Sequence, residues 1–161
     1  MPAVVLFQPQ IPPNTGNIGR TCAATATALH LIEPLGFALD DRALRRAGLD
    51  YWPLIDLHRH GHWRAFEAHR RGAGRVIALS SHATWSYTSY RFAANDWLLF
   101  GRETDGLPEE VLVQADAVLT IPMSQRATAG QSGVRSLNLS VSVGIVLFEA
   151  LRQLGETAKL R

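Results

Sequence analysis

The sequence holds a single cysteine, Cys22, and a lone thiol excludes both a disulfide framework and a cysteine metal cluster. Such usage suits a reducing compartment, and Cys22 reads as a small buried apolar residue on a helix. No apolar run approaches the roughly 18 residues of a membrane span. The opening M-P-A-V-V-L-F has neither the basic segment nor the long apolar stretch of a signal peptide, so the expected address is the cytoplasm. Familiar phosphate-binding signatures are also missing. There is no G-x-x-x-x-G-K-[ST], and the nearest glycine pair, Gly72 and Gly74, precedes a strand-like run instead of following it, the wrong side for a pyrophosphate turn. P-loop and dinucleotide enzymes are thereby disfavoured.

What remains is a chain of 161 residues, 47% hydrophobic, expected to form one domain over residues 1–161 with its own core. Its net charge of +2 is unevenly spread. Between Asp40 and Arg75 there are eight arginines against five acids, whereas six acids and one arginine lie between Asp96 and Asp116. The arginine-rich part could meet phosphates through planar forks of donors or could be a solvated helix face; the sequence leaves both open.

Apolar runs of strand length occur at 4–7, 29–32, 75–79, 97–100 and 117–121, with a weaker one around 54–57. They are continuous rather than alternating, as expected of strands covered on both faces. Helical candidates lie between them at 15–28, 40–47, 62–71 and 108–115. Asp40 or Asp41 could cap the second, and Pro108 followed by two glutamates opens the fourth. The alternation reads as an α/β fold, a mainly parallel sheet flanked by helices. A last helix, 138–154, carries one apolar stripe containing Leu139, Val143, Val146, Leu147, Ala150, Leu151 and Leu154. A second stripe of Val141, Ile145 and Phe148 lies beside it, which predicts that one face covers the sheet and the other packs on a second copy of the chain. The polar stretch 124–134 reads as a surface loop.

Three separated segments carry candidate chemistry: I-P-P-N-T-G-N-I-G-R at 11–20, F-G-R-E-T-D-G-L at 100–107, and I-P-M at 121–123 followed by S-L-N-L-S at 136–140. Each joins an apolar run to glycine, proline, asparagine, serine or a lone charge, the means by which α/β proteins build ligand-holding loops at strand ends. Asn14 or Thr15 could cap a helix, with Arg20 projecting near its first turns. Gly101 could admit a ligand closely, and Glu103 could anchor a substrate or a cation. Ile121 and Met123 offer apolar walls, and Ser136 and Asn138 offer hydrogen-bonding groups at a helix start. The alternation His58, His60, His62 could chelate from one side of a strand, but no acidic or cysteine partner is evident; the three read as surface histidines, with no metal site.

These motifs, with H-L-I-E-P-L-G-F at 30–37 and D-D-R-A-L-R-R-A-G-L-D-Y at 40–51, occur in an order that resembles the SPOUT superfamily of trefoil-knotted RNA methyltransferases. Within it the chain is most similar to the TrmL (YibK-like) tRNA (cytidine/uridine-34-2′-O)-methyltransferases. The resemblance implies a homodimer whose carboxyl-terminal segment is threaded into a deep knot that binds S-adenosylmethionine, with no metal. By position it puts Leu79, Gly101, Ile121 and Ser136 around the cofactor, and Asn14, Arg20, Glu103, Ser136 and Asn138 at the catalytic centre. Arg20 would come from one subunit and the cofactor from the other. The implied substrate is the ribose 2′-hydroxyl of the wobble nucleotide, position 34, of leucine tRNAs, reached through the anticodon stem-loop; neither DNA nor a membrane is expected as a partner. Another tRNA or rRNA site, or a non-catalytic RNA-binding knot protein, are the alternatives. The chain departs from the family pattern at Ala24, Arg102, Asp105, Val141 and Phe148 and in a longer 124–134 loop, which bears on the choice of tRNA.

Overall fold

The continuous apolar runs become strands of one sheet. In the computed structural model, which describes residues 1–39, 51–124, 134 and 136–160, the strands are β1 (Ala3–Phe7), β2 (Leu29–Ile32), β3 (Leu57–His60), β4 (Val76–Leu79), β5 (Trp85–Ser86), β6 (Trp97–Phe100) and β7 (Ala117–Thr120). They form a sheet in the order β3-β2-β1-β6-β4-β7-β5, every pair parallel. A parallel sheet needs cover on both faces, and Val4, Val5 and Leu6 of β1 are all fully buried.

The helices supplying that cover are α1 (Pro12–Thr25), α2 (Trp63–Arg70), α3 (Glu109–Leu112) and α4 (Leu139–Gln153). Side chains alternate across each strand. Val4 and Leu6 join Ile18 and Cys22 of α1 and Val143, Val146 and Leu147 of α4 in one core. Val5 and Phe7 join Phe66 of α2 and Val111 of α3 in the other. Cys22 is buried, as expected, and its burial pushes the thiol up to about 12. On α4, Val143, Val146, Leu147, Ala150 and Leu151 are buried, while Val141 and Phe148 of the second stripe remain 49% and 45% exposed. No helix among the described residues is long and apolar enough to cross a membrane.

Several expectations need correction. The weak run at 54–57 is displaced: residues Trp52–Leu54 form a 3-10 turn with Pro53 inside it, and the edge strand is β3, whose identity comes from pairing with β2. The two-residue β5 carries too short a pattern to be read. Helix α1 starts at Pro12, earlier than expected, with Ile11 at the N-cap and no side-chain cap, so neither Asn14 nor Thr15 caps it. Two prolines suit this first turn because its amides lack intrahelical partners in any case. Asn138 does cap α4, its Oδ1 accepting from Ser140 N at 2.9 Å. The surface reading of the histidines fails for His60, which is 6% exposed; only His62 stands out, capping α2 through Nδ1. His58 also has an acidic partner, Asp56 at 2.9 Å.

The arginine-rich face is partly neutralised. Arg59 pairs with Glu33, Arg70 with Glu67, and Arg75 with the buried Asp96, leaving Arg64 and Arg71 exposed without an ion pair among the described residues. The expected helix at 40–47, its caps, Arg42, Arg45 and Arg46, and most of the 124–134 loop lie outside the described residues.

Candidate functional site at the carboxyl ends of the central strands

The central strands end together, and the three sequence segments begin where they end. Leaving β1, the chain passes through Gln8 with a left-handed φ of 49° before entering α1. Leaving β6, it turns back on itself at Gly101, and Arg102 and Gly106 exchange backbone hydrogen bonds of 3.0 and 3.1 Å. A Cβ on Gly101 would lie 2.3 Å from the Gly106 carbonyl carbon. The close approach that this glycine permits is therefore of the chain's own backbone, where a ligand was expected.

That hairpin presents Glu103. Its carboxylate accepts from the amides of Gln10 (2.8 Å) and Ile11 (3.2 Å) and from Asn14 Nδ2 (3.2 Å). Asn14 is buried and accepts in turn, at Oδ1, from Asn138 Nδ2 at 2.9 Å. Asn138 Oδ1 takes both the amide and the hydroxyl of Ser140, at 2.9 and 2.7 Å. A continuous chain of hydrogen bonds thus ties the amino-terminal, central and carboxyl-terminal motifs. Both ends of the Asn14 amide are engaged, which fixes its orientation.

Around it, Arg102 forks onto Asp105 with two bonds of 2.6 Å and donates to Gln8 Oε1 at 2.7 Å. Hydrogen bonding from Arg102 holds the exposed Asp105 carboxyl below the usual carboxylate range. Thr104 donates to Gln10 Oε1 at 2.8 Å. Two of the positions that depart from the family pattern, Arg102 and Asp105, thus bond to each other and brace the hairpin.

Of the expected cofactor residues, Leu79 ends β4, Gly101 follows β6 and Ile121 follows β7. These are three adjacent strands, with Leu79 in register with Phe100 and Leu119. Leu79 and Ile121 are half-buried, packed on the core with part of their surface free. Ser136 is exposed at the approach to α4. Arg20 is exposed on α1, its guanidinium 4.7 Å from the centre of the Tyr51 ring, whose hydroxyl donates to Gly16 O at 3.3 Å. Among the described residues no hydrogen bond joins Arg20 or Ser136 to the Glu103 network. Gln10, Tyr51 and Ser140 were not anticipated. Tyr51 and Ser140 close the 40–51 and 136–140 motifs, which would have pointed to them, but Gln10, whose amide donates to Glu103 and whose Oε1 accepts from Thr104, lies outside every motif.

Comparison with known proteins follows the same outline. The SpoU rRNA Methylase family model matches residues 1–148. A protein of Polaromonas sp. named tRNA (cytidine(34)-2′-O)-methyltransferase is 47% identical over 154 residues, 94% of this chain and 90% of its own. A structure described as "Structural insights into the 2-OH methylation of C/U34 on tRNA" superposes with a TM-score of 0.87 at 48% identity, covering 96% of this chain and 97% of that one. An AdoMet-bound rRNA methyltransferase from Sinorhizobium meliloti superposes at 0.82 with 29% identity, over 95% of this chain and 56% of its own. The sheet order and these neighbours agree with the knotted α/β fold, and the chain belongs to the SpoU rRNA methylase family.

Proposed function

We propose that this chain, acting as one catalytic domain, is a tRNA 2′-O-methyltransferase that modifies the wobble nucleotide, position 34, of leucine tRNAs, using S-adenosylmethionine. The observation that carries the reading is the hydrogen-bonded union of Glu103, Asn14 and Asn138 at the carboxyl ends of the central strands, in a chain 48% identical to the protein of the C/U34 study. The cofactor's place would be the ends of β6, β4 and β7. Leu79 and Ile121, half-buried with free apolar surface, fit an adenine ring, and backbone groups beside Gly101 and Ser136 fit its polar edge and ribose. When bound, the sulfonium supplies an already activated methyl group, so the protein's work is to place the acceptor oxygen and manage its charge.

Glu103 is spent on the Gln10 and Ile11 amides and on Asn14. It organises the loop after β1 instead of serving as a free base. Arg20, exposed and unattached to that network, supplies the cation. A guanidinium with pKa above about 12 is a poor proton acceptor near neutrality. It grips a neighbouring phosphate and stabilises negative charge developing on the 2′-oxygen. The lack, among the described residues, of any hydrogen bond from Arg20 to the network, and the uncovered Val141 and Phe148 on α4, support a homodimer in which Arg20 of one protomer serves the pocket of its partner, with the anticodon stem-loop spanning both.

Replacing Arg20 with lysine removes the planar fork but keeps the charge. Turnover should fall by about 100-fold while calorimetric affinity for S-adenosylmethionine stays within a factor of two or so of wild type; loss of cofactor binding would assign Arg20 elsewhere. The substrate is tested by mapping 2′-O-methyl groups in RNA from a deletion strain, where loss confined to position 34 is expected. The likeness to an rRNA methyltransferase at 29% identity makes an rRNA site the second reading, and the same map separates the two.

A further inference from the structure

Away from the strand ends, on the sheet face covered by α2, four histidines from three elements meet. His30 on β2 stands directly opposite His58 on β3, and His60, two residues further, shares that face. The His30 and His58 rings stack with centroids 4.4 Å apart and planes 9° from parallel. His69 of α2 closes the third side, 5.3 Å from the His30 ring and 5.6 Å from that of His58. One ring nitrogen from each of His30, His58 and His69 falls within 4.8 Å of the other two.

The remaining contacts are those of an outer shell. His30 Nδ1 is 2.9 Å from His60 Nε2, and His58 Nε2 is 2.9 Å from the Asp56 carboxylate. Each of these two rings keeps its other nitrogen for a further partner. Metal-binding histidines are commonly held with one nitrogen on the metal and the other on a carboxylate, a backbone carbonyl or a water, which fixes tautomer and orientation; Asp56 takes that place for His58 and the His60 ring takes it for His30.

We infer that His30, His58 and His69 form a binding site for a divalent transition metal, Zn2+ foremost, with Asp56 and His60 orienting two of the three ligands. Three imidazoles around zinc at about 2.0–2.1 Å place their nitrogens about 3.4 Å apart, so from within 4.8 Å the cluster must close by up to about 1.4 Å. His69, exposed on a helix, has the side-chain freedom to make that movement and leaves an entry path from solvent. An all-imidazole set with one position left for water suits zinc, cobalt, nickel or copper and not magnesium or calcium, which demand oxygen. The metal would fasten the edge strand β3 and helix α2 to the sheet.

The test uses tag-free full-length protein stripped with EDTA. Titration with Co2+ should give tetrahedral d–d bands saturating at one ion per chain, Zn2+ should displace it, and Zn2+ should raise the melting temperature. His58→Ala/His69→Ala should lose all three responses while keeping the wild-type circular dichroism. Asp56→Asn should weaken binding by about 10–100-fold. Should the double variant fail to fold, His69→Ala alone, at an exposed position, must still abolish the tetrahedral spectrum. Absence of saturable binding to wild type, or binding undiminished in the histidine variants, overturns the site.

Discussion

Glu103 concentrates more long-range polar contacts than any neighbouring side chain in its hairpin. Its partners Gln10, Ile11 and Asn14 lie some ninety residues away in sequence. Glu103→Gln keeps the shape but turns one acceptor into a donor facing donors. Hydrogen bonds to a charged group contribute about 1.5–3 kcal/mol each way of counting, so urea unfolding should show a loss of about that size, accompanied by a fall in methyl transfer. Cys22 gives a second residue-scale expectation. With its thiol pushed up to about 12 by burial, it should resist a thiol-directed reagent at pH 8 in the native protein and react stoichiometrically once unfolded, because only the thiolate is nucleophilic. Rapid labelling of folded protein would show that the site between α1 and the sheet opens.

At the scale of elements, the hairpin after β6 depends on one missing methyl group. A Cβ on Gly101 meets three backbone atoms of Gly106 and Leu107 at 2.3–2.7 Å, none of which can rotate away as a side chain could. Gly101→Ala should therefore cost about 1–3 kcal/mol as overpacking and displace Glu103 from Asn14. Thermal unfolding and methyl transfer both report it, and a fully active, equally stable Gly101→Ala would refute the arrangement. The strands themselves were largely legible because a run such as Leu29–Ile32 is apolar or uncharged at every position and buried at all four. The edge strand was not: its L-H-R-H pattern has the burial of a half-covered surface, and only the ladder to β2 makes it a strand. The start of α1 was misplaced for a related reason, since two prolines read as a loop until they occupy the first turn, where proline is tolerated.

For the whole molecule, the unresolved question of sequence was which charges and apolar faces stay free. Arg59, Arg70 and Arg75 are each met by a carboxylate, so the arginine count overstates the charge available to RNA. Within one chain, helix α4 buries Val143, Val146, Leu147, Ala150 and Leu151 of one stripe and leaves Val141 and Phe148 of the other uncovered. If that face joins two protomers, Val141→Asp/Phe148→Asp should convert a dimer to a monomer by light scattering and lower methyl transfer with it, since Arg20 and the cofactor would then be separated. Retention of the dimer would place the interface elsewhere. Both residues are exposed, so the monomer itself should fold.

Local pattern by itself determined the strands buried on both faces, the amphipathic cover of α4, and the order of motifs that marks the family. Tertiary structure alone decided what those motifs do to one another. Asn14 and Asn138 meet across 124 residues, and His30 meets His60 across 30, because parallel strands join in an order set by crossover connections. Periodicity records whether a side chain is buried or exposed. It does not record which distant chain will lie beside it.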